Sequence, residues 1–381
     1  MKKIIKFTIS ILIFILIKIL EKIYNRKFKF VFIHTSRFGH IIRALDVISS
    51  KDFFFIIDHE KKISNHYILK NLKKKRNVIS LFKTNKIISI CNSFNITKNL
   101  TYDFNYFESN FHKLYVRPSL VTFPKEDELN FTYLCKKKKI QSDFVIFHNR
   151  DDLYLSTKNI NDNNYHSFRN FEFKDFSKAI NYLSKNNSVI RTGAKHKKFI
   201  TNNTKFYDLT NKNYDERDLI FYYKYSKYNV MAFDGTTLLA SAFRKKSLYV
   251  NLIPFNIDII CNLSPGSIFI PKKIFSKELG RNLTFCEMND LNLNVHTSKK
   301  IFQKNDLKVI NNSQDDILNG VIEMEKKSKS NDNYSKNEKE LNNEFWNIFN
   351  TKEHKKVNYY KNELKIMISP KFLSNNIDLL N

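Results

Sequence analysis

Apolar residues in this chain come in short β-branched and aromatic runs that stop abruptly at polar clusters, and between the runs they recur at helical spacing. In the first third, Phe28 to His34, Phe53 to Asp58 and Val78 to Phe82 read as strands. Ile41 to Ser50 and the basic stretch Asn65 to Lys75 read as helices. Arg37-Phe38-Gly39-His40 is the turn between the first strand and the first helix. Residues 92–134, with Pro118 and Pro124, carry no regular pattern, and Lys136 to Ser142 reads as a solvated segment near a domain boundary.

The alternation returns more clearly at Phe144 to Phe147, an apolar run that ends in His148-Asn149-Arg150-Asp151-Asp152. Asn170 is placed to cap a helix whose apolar face is Phe173, Phe176, Ala179, Ile180 and Leu183. Further strands are expected at Ser188 to Arg191, Lys205 to Leu209, Tyr228 to Phe233 and Ser247 to Leu252. Asp215 caps a helix with Leu219, Ile220 and Tyr223, and Thr236 to Phe243 forms another. From Asn311 the chain turns helical and polar; Lys326 to Glu340 is a charged low-complexity stretch, and Leu341 to Phe349 is an apolar-patterned helix holding the only Trp, Trp346. Strands alternating with helices predict an α/β fold with doubly wound parallel sheets. The expected divisions are 1–27, an N-terminal helix; 28–135, a first Rossmann-like domain; 136–310, a second Rossmann-like domain; and 311–381, a helical segment.

The first of these changes the picture. Phe7 to Ile17 is apolar, Lys18 interrupts it, and the run is shorter than the ~20 residues a spanning helix needs. A thin span from Ile4 to Leu20 and a helix lying in the interface both fit, against a helix packed on the protein itself. Lys18, Lys22, Arg26, Lys27 and Lys29 outnumber the cations before the run, which places the globular part on the cytoplasmic side of the membrane.

The chain of 381 residues carries a formal charge of +28, with 42% hydrophobic residues and 35 Phe, so large cores are expected. The Lys excess travels with frequent Asn and Ile, as in AT-rich coding sequence; the functional alternative is attraction to an anionic membrane surface or to phosphorylated substrates. No helix-turn-helix, zinc-finger or RNP-like pattern occurs, so nucleic acid is not expected as a partner. Cys91, Cys135, Cys261 and Cys286 are scattered, which implies neither a zinc site nor a disulfide framework.

Three strand ends carry the candidate chemistry, because ligands of open parallel sheets bind at the carboxyl ends of strands. His148 and Arg150 close one; Arg150 suits a phosphate, or Asp151 neutralises it as a structural ion pair. Arg191-Thr192-Gly193 closes a second, and Arg191 can fork onto phosphate oxygens. Asp234-Gly235-Thr236-Thr237 closes a third, as either a helix-origin anion site or an ordinary turn with a Thr cap. Arg169 is a ligand or a loop ion-pair partner. His40 is a candidate base or a structural hydrogen-bonding residue, with Gly39 beside it and Arg37 for a second anionic group. Asp46 is expected to face solvent. No Asp-x-Asp, Gly-x-Gly-x-x-Gly, P-loop or Gly-x-Ser-x-Gly pattern is present. No metal or cofactor is therefore expected.

In order and spacing, His148-x-Arg150-Asp151, Tyr165-x-x-x-Arg169-Asn170, Val189-Ile190-Arg191-Thr192-Gly193 and Phe233-Asp234-Gly235 resemble a group of bacterial sequences assigned as glycosyltransferases of surface-polysaccharide loci. Arg37-Phe38-Gly39-His40, Trp346 and the segment Ile368 to Leu373 are also similar. The resemblance covers most of the chain from about residue 28. Thr192 and Asp234-Gly235-Thr236 depart from the group's pattern. The resemblance implies a GT-B-like architecture, two Rossmann-like domains facing a cleft. It also implies transfer of a sugar from a nucleotide-diphosphate donor to a lipid-linked glycan acceptor. The alternative is a non-catalytic binding or scaffold protein of a polysaccharide-assembly complex.

Overall fold

Two parallel sheets, each in its own compact unit, organise the chain: Met1–Pro124 and Lys125–Asn381. The computed structural model describes residues 2–48, 53–59, 62–75, 78–81, 101–102, 115–151, 153, 167–193, 197–211, 215–254, 257–260, 262–293, 300–329, 334–348 and 357–380.

The first unit begins with helix α1 (Lys2–Tyr24), followed by β1 (Lys27–Ile33), α2 (Phe38–Ile48), β2 (Phe53–His59), α3 (His66–Lys73), β3 (Val78–Leu81) and β4 (Thr101–Tyr102). The strands are parallel in the order β3-β2-β1-β4, the first four positions of a Rossmann sheet. Asn65 caps α3, its side chain accepting from the Ile68 N–H at 2.8 Å, while Ile68, Leu69 and Leu72 turn inward. Helix α2 is buried on all sides, and Asp46 sinks with it to 5% exposure beside a buried Arg43, so the expected solvent face does not exist.

Among the described residues no helix is long and apolar enough to cross a membrane, so the spanning option for α1 lacks support. The helix packs through Ile13, Phe14, Ile17 and Leu20 against Phe28.

The second unit opens with α4 (Lys125–Lys137), where no regular pattern is read above. Glu126, Asp127 and Glu128 in its first turn and Lys136 and Lys137 in its last complement the helix dipole. Its single buried side chain, Phe131, packs on Phe221, Tyr222 and Tyr225, and Lys224 and Tyr225 both reach Glu128. A helix with one buried residue has no apolar period to detect. The boundary expected after residue 135 falls inside it.

Seven parallel strands follow: β5 (Val145–His148), β6 (Val189–Arg191), β7 (Phe206–Asp208), β8 (Asn229–Met231), β9 (Ser247–Leu252), β10 (Ile268–Pro271) and β14 (Met367–Ile368). Their order is β14-β10-β9-β8-β5-β6-β7. The chain thus winds outward from β5 to β7, returns to β8 on the other side of β5, and winds out again, so the order reverses between β5 and β8. Helices α5 (Ser177–Leu183), α6 (Glu216–Tyr225) and α7 (Thr237–Ala242) connect strands, and Asp215 caps α6 by accepting from the Arg217 N–H at 2.8 Å. Asn170 caps nothing; a 3-10 turn, Phe173–Phe176, precedes α5 instead. The strands β11 (Lys273–Ser276), β12 (Arg281–Asn282) and β13 (Leu307–Ile310) make a small antiparallel sheet where nothing was read above.

The C-terminal segment belongs to this core. Helix α8 (Gln314–Lys329) lies so close to the sheet that a Cβ on Gly320 would come within 2.8 Å of Ile270. Helix α9 (Lys336–Ile348) buries Phe345 and Trp346 against Phe269. Helix α10 (Pro370–Asn375) is tied to α8 by Glu323, which accepts from Ser369 Oγ at 2.6 Å and from the Lys371 N–H at 2.7 Å.

Burial pushes the Glu323 carboxyl up to about 7, against the lowering effect of those two donors. A carboxyl raised on folding stabilises the native state below its unfolded value near 4.5 and loses that contribution as pH rises to about 7. Denaturant unfolding at pH 5 and pH 8 should therefore show a loss on the order of 3 kcal/mol that is absent in Glu323→Gln. An identical pH dependence in both proteins would refute this.

Candidate functional site

His148 is the last residue of β5, 4% exposed, at the point where the strand order reverses. Its Nδ1 lies 3.0 Å from the Thr192 carbonyl, just past β6, and its Nε2 lies 2.5 Å from Asp234 Oδ2, just past β8. A carbonyl only accepts, so Nδ1 carries a proton; a carboxylate also accepts, so Nε2 donates as well. The ring is an imidazolium paired with a carboxylate. Burial opposes that charge, but Asp234 and the Thr192 carbonyl outweigh it and raise the His148 pKa. Asp234 is held well below the usual carboxylate range: burial opposes its charge, and His148 and the donors of Thr236 overcome it.

This single side chain joins the tips of three adjacent strands, β6, β5 and β8. Asp234 Oδ1 in turn accepts from the Thr236 N–H and Oγ1, both at 2.7 Å, and Thr237 Oγ1 accepts from the Asp234 N–H at 3.0 Å. Neither hydroxyl caps the helix as expected: Thr236 stands at the N-cap without a side-chain capping bond, and both are spent inside the turn. Gly235 is exposed at the crest and keeps an ordinary φ. Gly193, by contrast, sits at φ 143°, where side chains are rarely tolerated.

The guanidinium groups divide into two settings. Arg150 Nη1 donates to Asn170 Oδ1 at 3.1 Å, and Arg169 Nη2 donates to the Phe233 carbonyl with its guanidinium 5.5 Å over the Phe233 ring. From β10, Lys272 Nζ donates to the carbonyls of Phe168 at 2.8 Å and Asn170 at 3.0 Å. Arg150, Arg169 and Lys272 therefore fix one short turn, Ser167–Arg169, through neutral oxygens. Burial pulls Lys272 down to about 7; Asp175 opposes this, and Arg150 and Arg169 add to it.

Arg191, fully buried, is different. Nη1 reaches the Lys197 carbonyl at 2.9 Å and Asp208 Oδ2 at 3.3 Å, and Phe173 covers the guanidinium at 3.9 Å. Its Nε and Nη2, like Asn149 Oδ1, are buried without a hydrogen-bond partner. Leaving such groups unmet costs about 1–3 kcal/mol each, so they mark either strain or a place for a ligand. They line a cavity of about 330 Å³. Asp151, there too, accepts from the N–H groups of Leu153 at 3.1 Å and Lys197 at 3.4 Å.

Arg37, Gly39 and His40 lie in the first unit, at the carboxyl end of β1. Arg37 is exposed, Gly39 is buried, and His40 is half-buried with its ring edge-on to His34 at 5.3 Å. The other nominated residues, His148, Arg150, Arg169, Arg191, Gly193 and Asp234–Thr237, all gather at the carboxyl edge of the second unit's sheet. Asn149, Asp208 and Lys272 complete that edge. The first two stand at strand ends, where polar residues can be read as candidates; Lys272 follows Pro271 with no sequence signal. Tyr165 lies outside the described residues. Among the described residues, no cluster of three or more His, Cys, Asp or Glu is placed to hold a metal ion. Cys135 and Cys286 are free thiols.

No family model matches the chain, and no curated protein matches it. Among solved structures, the ADP-heptose lps heptosyltransferase II of E. coli is similar at 10% identity, over 78% of this chain and 99% of that one, with a TM-score of 0.41. A TM-score this low assigns nothing to the present chain.

Removing the strap should expose its value. His148→Ala leaves the half-buried Asp234 without its cation and should cost about 3 kcal/mol in denaturant unfolding, the lower end for a buried pair. The pair contributes most between pH 3.8 and 6.5, the ordinary values of its two groups. Its contribution is lost at higher pH as His148 deprotonates above its raised pKa, and in strong acid as Asp234 protonates. A cost below about 1 kcal/mol at pH 6, the size of a surface pair, would contradict a buried strap.

Proposed function

We propose that the protein is a glycosyltransferase of the GT-B plan. It moves a sugar from a nucleotide-diphosphate donor to a hydroxyl of a lipid-linked or nascent surface-polysaccharide acceptor, without a metal ion. One observation carries the reading: Arg150, Arg169 and Lys272 converge on a single turn beside the point where the strand order of the second sheet reverses. Departure of a nucleoside diphosphate builds negative charge on the leaving oxygens as the sugar becomes oxocarbenium-like. Fixed cations at that spot stabilise the transition state more than the ground state. Arg150 and Arg169 face the diphosphate in this reading, and the Gly235-Thr236-Thr237 crest borders it. In the first unit, Arg37, Gly39 and His40 are assigned to the acceptor, His40 taking the proton of the attacking hydroxyl.

The acceptor's lipid also gives α1 a role. Ile4, Leu12, Ile15, Leu16, Ile19 and Ile23 share one helix face and are 48–70% exposed. Thr8, the one hydroxyl among them, is turned back onto the Ile4 carbonyl at 3.1 Å. Exposed Lys22, Arg26 and Lys27 stand at the end of that face. An apolar face edged by cations suits the headgroup boundary of an anionic leaflet, with the helix lying flat at the cytoplasmic surface of the inner membrane.

Two measurements check these assignments. Calorimetric titration of the full chain with uridine, guanosine and cytidine diphosphates should detect binding to at least one. Arg150→Ala should weaken it at least tenfold, about 1.4 kcal/mol; unchanged affinity would remove the diphosphate from this rim. Co-sedimentation should show binding to phosphatidylglycerol vesicles but weakly to phosphatidylcholine, and Leu12→Glu with Leu16→Glu should abolish it. If the wild-type chain ignores both vesicles and instead pairs with itself through this face, the membrane assignment is wrong.

A further inference from the structure

Arg191 and Asn149 both line one small cavity, and each keeps buried polar atoms without a partner. Arg191 Nη1 is already engaged, and the unpartnered Nε and Nη2 share the opposite edge of the guanidinium. That edge is a planar two-donor fork that matches both oxygens of a carboxylate. Asn149 Nδ2 donates to the Phe171 carbonyl at 3.1 Å, which sets the amide's orientation and leaves Oδ1 as a buried, unmet acceptor. Both side chains are at most 1% exposed.

The remaining walls narrow the choice of ligand. At about 330 Å³ the cavity is at the small end for small-molecule sites, which run roughly 300–1,000 Å³, and suits one sugar ring better than a nucleotide. Asp151 and Glu172 share the wall with the exposed Lys174, Lys197 and Lys198, Glu172 paired to Lys174 at 2.7 Å, and both carboxylates can accept hydrogen bonds from hydroxyls. Phe171, Phe173 and Phe199 offer apolar surface to the C–H face of a ring. Arg191 is the one cation of this lining that is buried, and its free edge is sized for a single carboxylate.

We infer that this cavity binds a hydroxylated monocarboxylate of single-ring size, an acidic sugar, with its carboxylate on the Arg191 fork and a hydroxyl on Asn149 Oδ1. The glycosyl-transfer reading supplies only its role, as the sugar of the donor; the binding stands on the cavity alone.

Calorimetry or ligand-observed NMR on the full chain, with D-glucuronate, D-glucose and inorganic phosphate as probes, tests it. Glucuronate should bind saturably and at least tenfold more tightly than the other two. Arg191→Lys keeps the charge but loses the fork, and should weaken glucuronate at least tenfold while leaving unaffected whichever nucleoside diphosphate the chain binds. Because that change also disturbs the Asp208 pair, Phe199→Trp provides a second variant; it fills the cavity without touching the guanidinium and should cause the same loss. Four outcomes overturn the assignment. They are no saturable glucuronate binding, phosphate or glucose binding as tightly, Phe199→Trp binding like wild type, or Arg191→Lys losing that nucleoside diphosphate but not glucuronate. Glucuronate binding through Arg191 in a chain that ignores every nucleoside diphosphate would instead sink the transfer reading and leave the cavity assigned.

Discussion

The carboxyl edge of the larger sheet is organised by one doubly protonated imidazole. Three strand tips, β6, β5 and β8, carry polar residues that would otherwise splay toward water. His148 pulls a carbonyl from one side and a carboxylate from the other onto its two ring nitrogens. Burial makes that bridge costly to break, since either partner alone would be a stranded polar group in a poorly solvated place. Gly235 and Gly193 each neighbour a residue this ring holds, Asp234 and Thr192.

A second layer of cations is arranged around the first. Arg150 reaches from the end of β5, Lys272 from the end of β10, and Arg169 from the turn itself toward the chain after β8. Together they stretch Ser167–Arg169 across the sheet as a wall. Asn170 lines the cavities on both sides of it, one beside Arg191 and one beside Lys272 and Lys308. The division of labour between a rim that gathers positive charge and a recess with one buried fork is a property of this wall.

Much of the scaffold was legible because it obeys local rules. Ser247 to Leu252 is a strand at the residues where its pattern ends, Asp215 is a cap, and Phe173, Phe176, Ala179, Ile180 and Leu183 are all buried as their spacing requires. What escaped depends on partners distant in sequence. Helix α4 has one buried residue, and its charges, not its apolar period, announce it. Asp46 lies in a helix surrounded on every face. At the site, residue types were readable but their occupations were not. The hydroxyls of Thr236 and Thr237 turn inward, Asn170 serves Arg150 rather than a helix, and Lys272 gives no sign of itself between a proline and a second lysine.

Lys272 has one more consequence. Burial brings the Lys272 amine down to about 7, so near neutrality it grips the Phe168 and Asn170 carbonyls partly as ammonium and partly as neutral amine. Negative charge brought to the rim favours the ammonium form. An anion bound at the rim would therefore be thermodynamically linked to proton uptake by this amine.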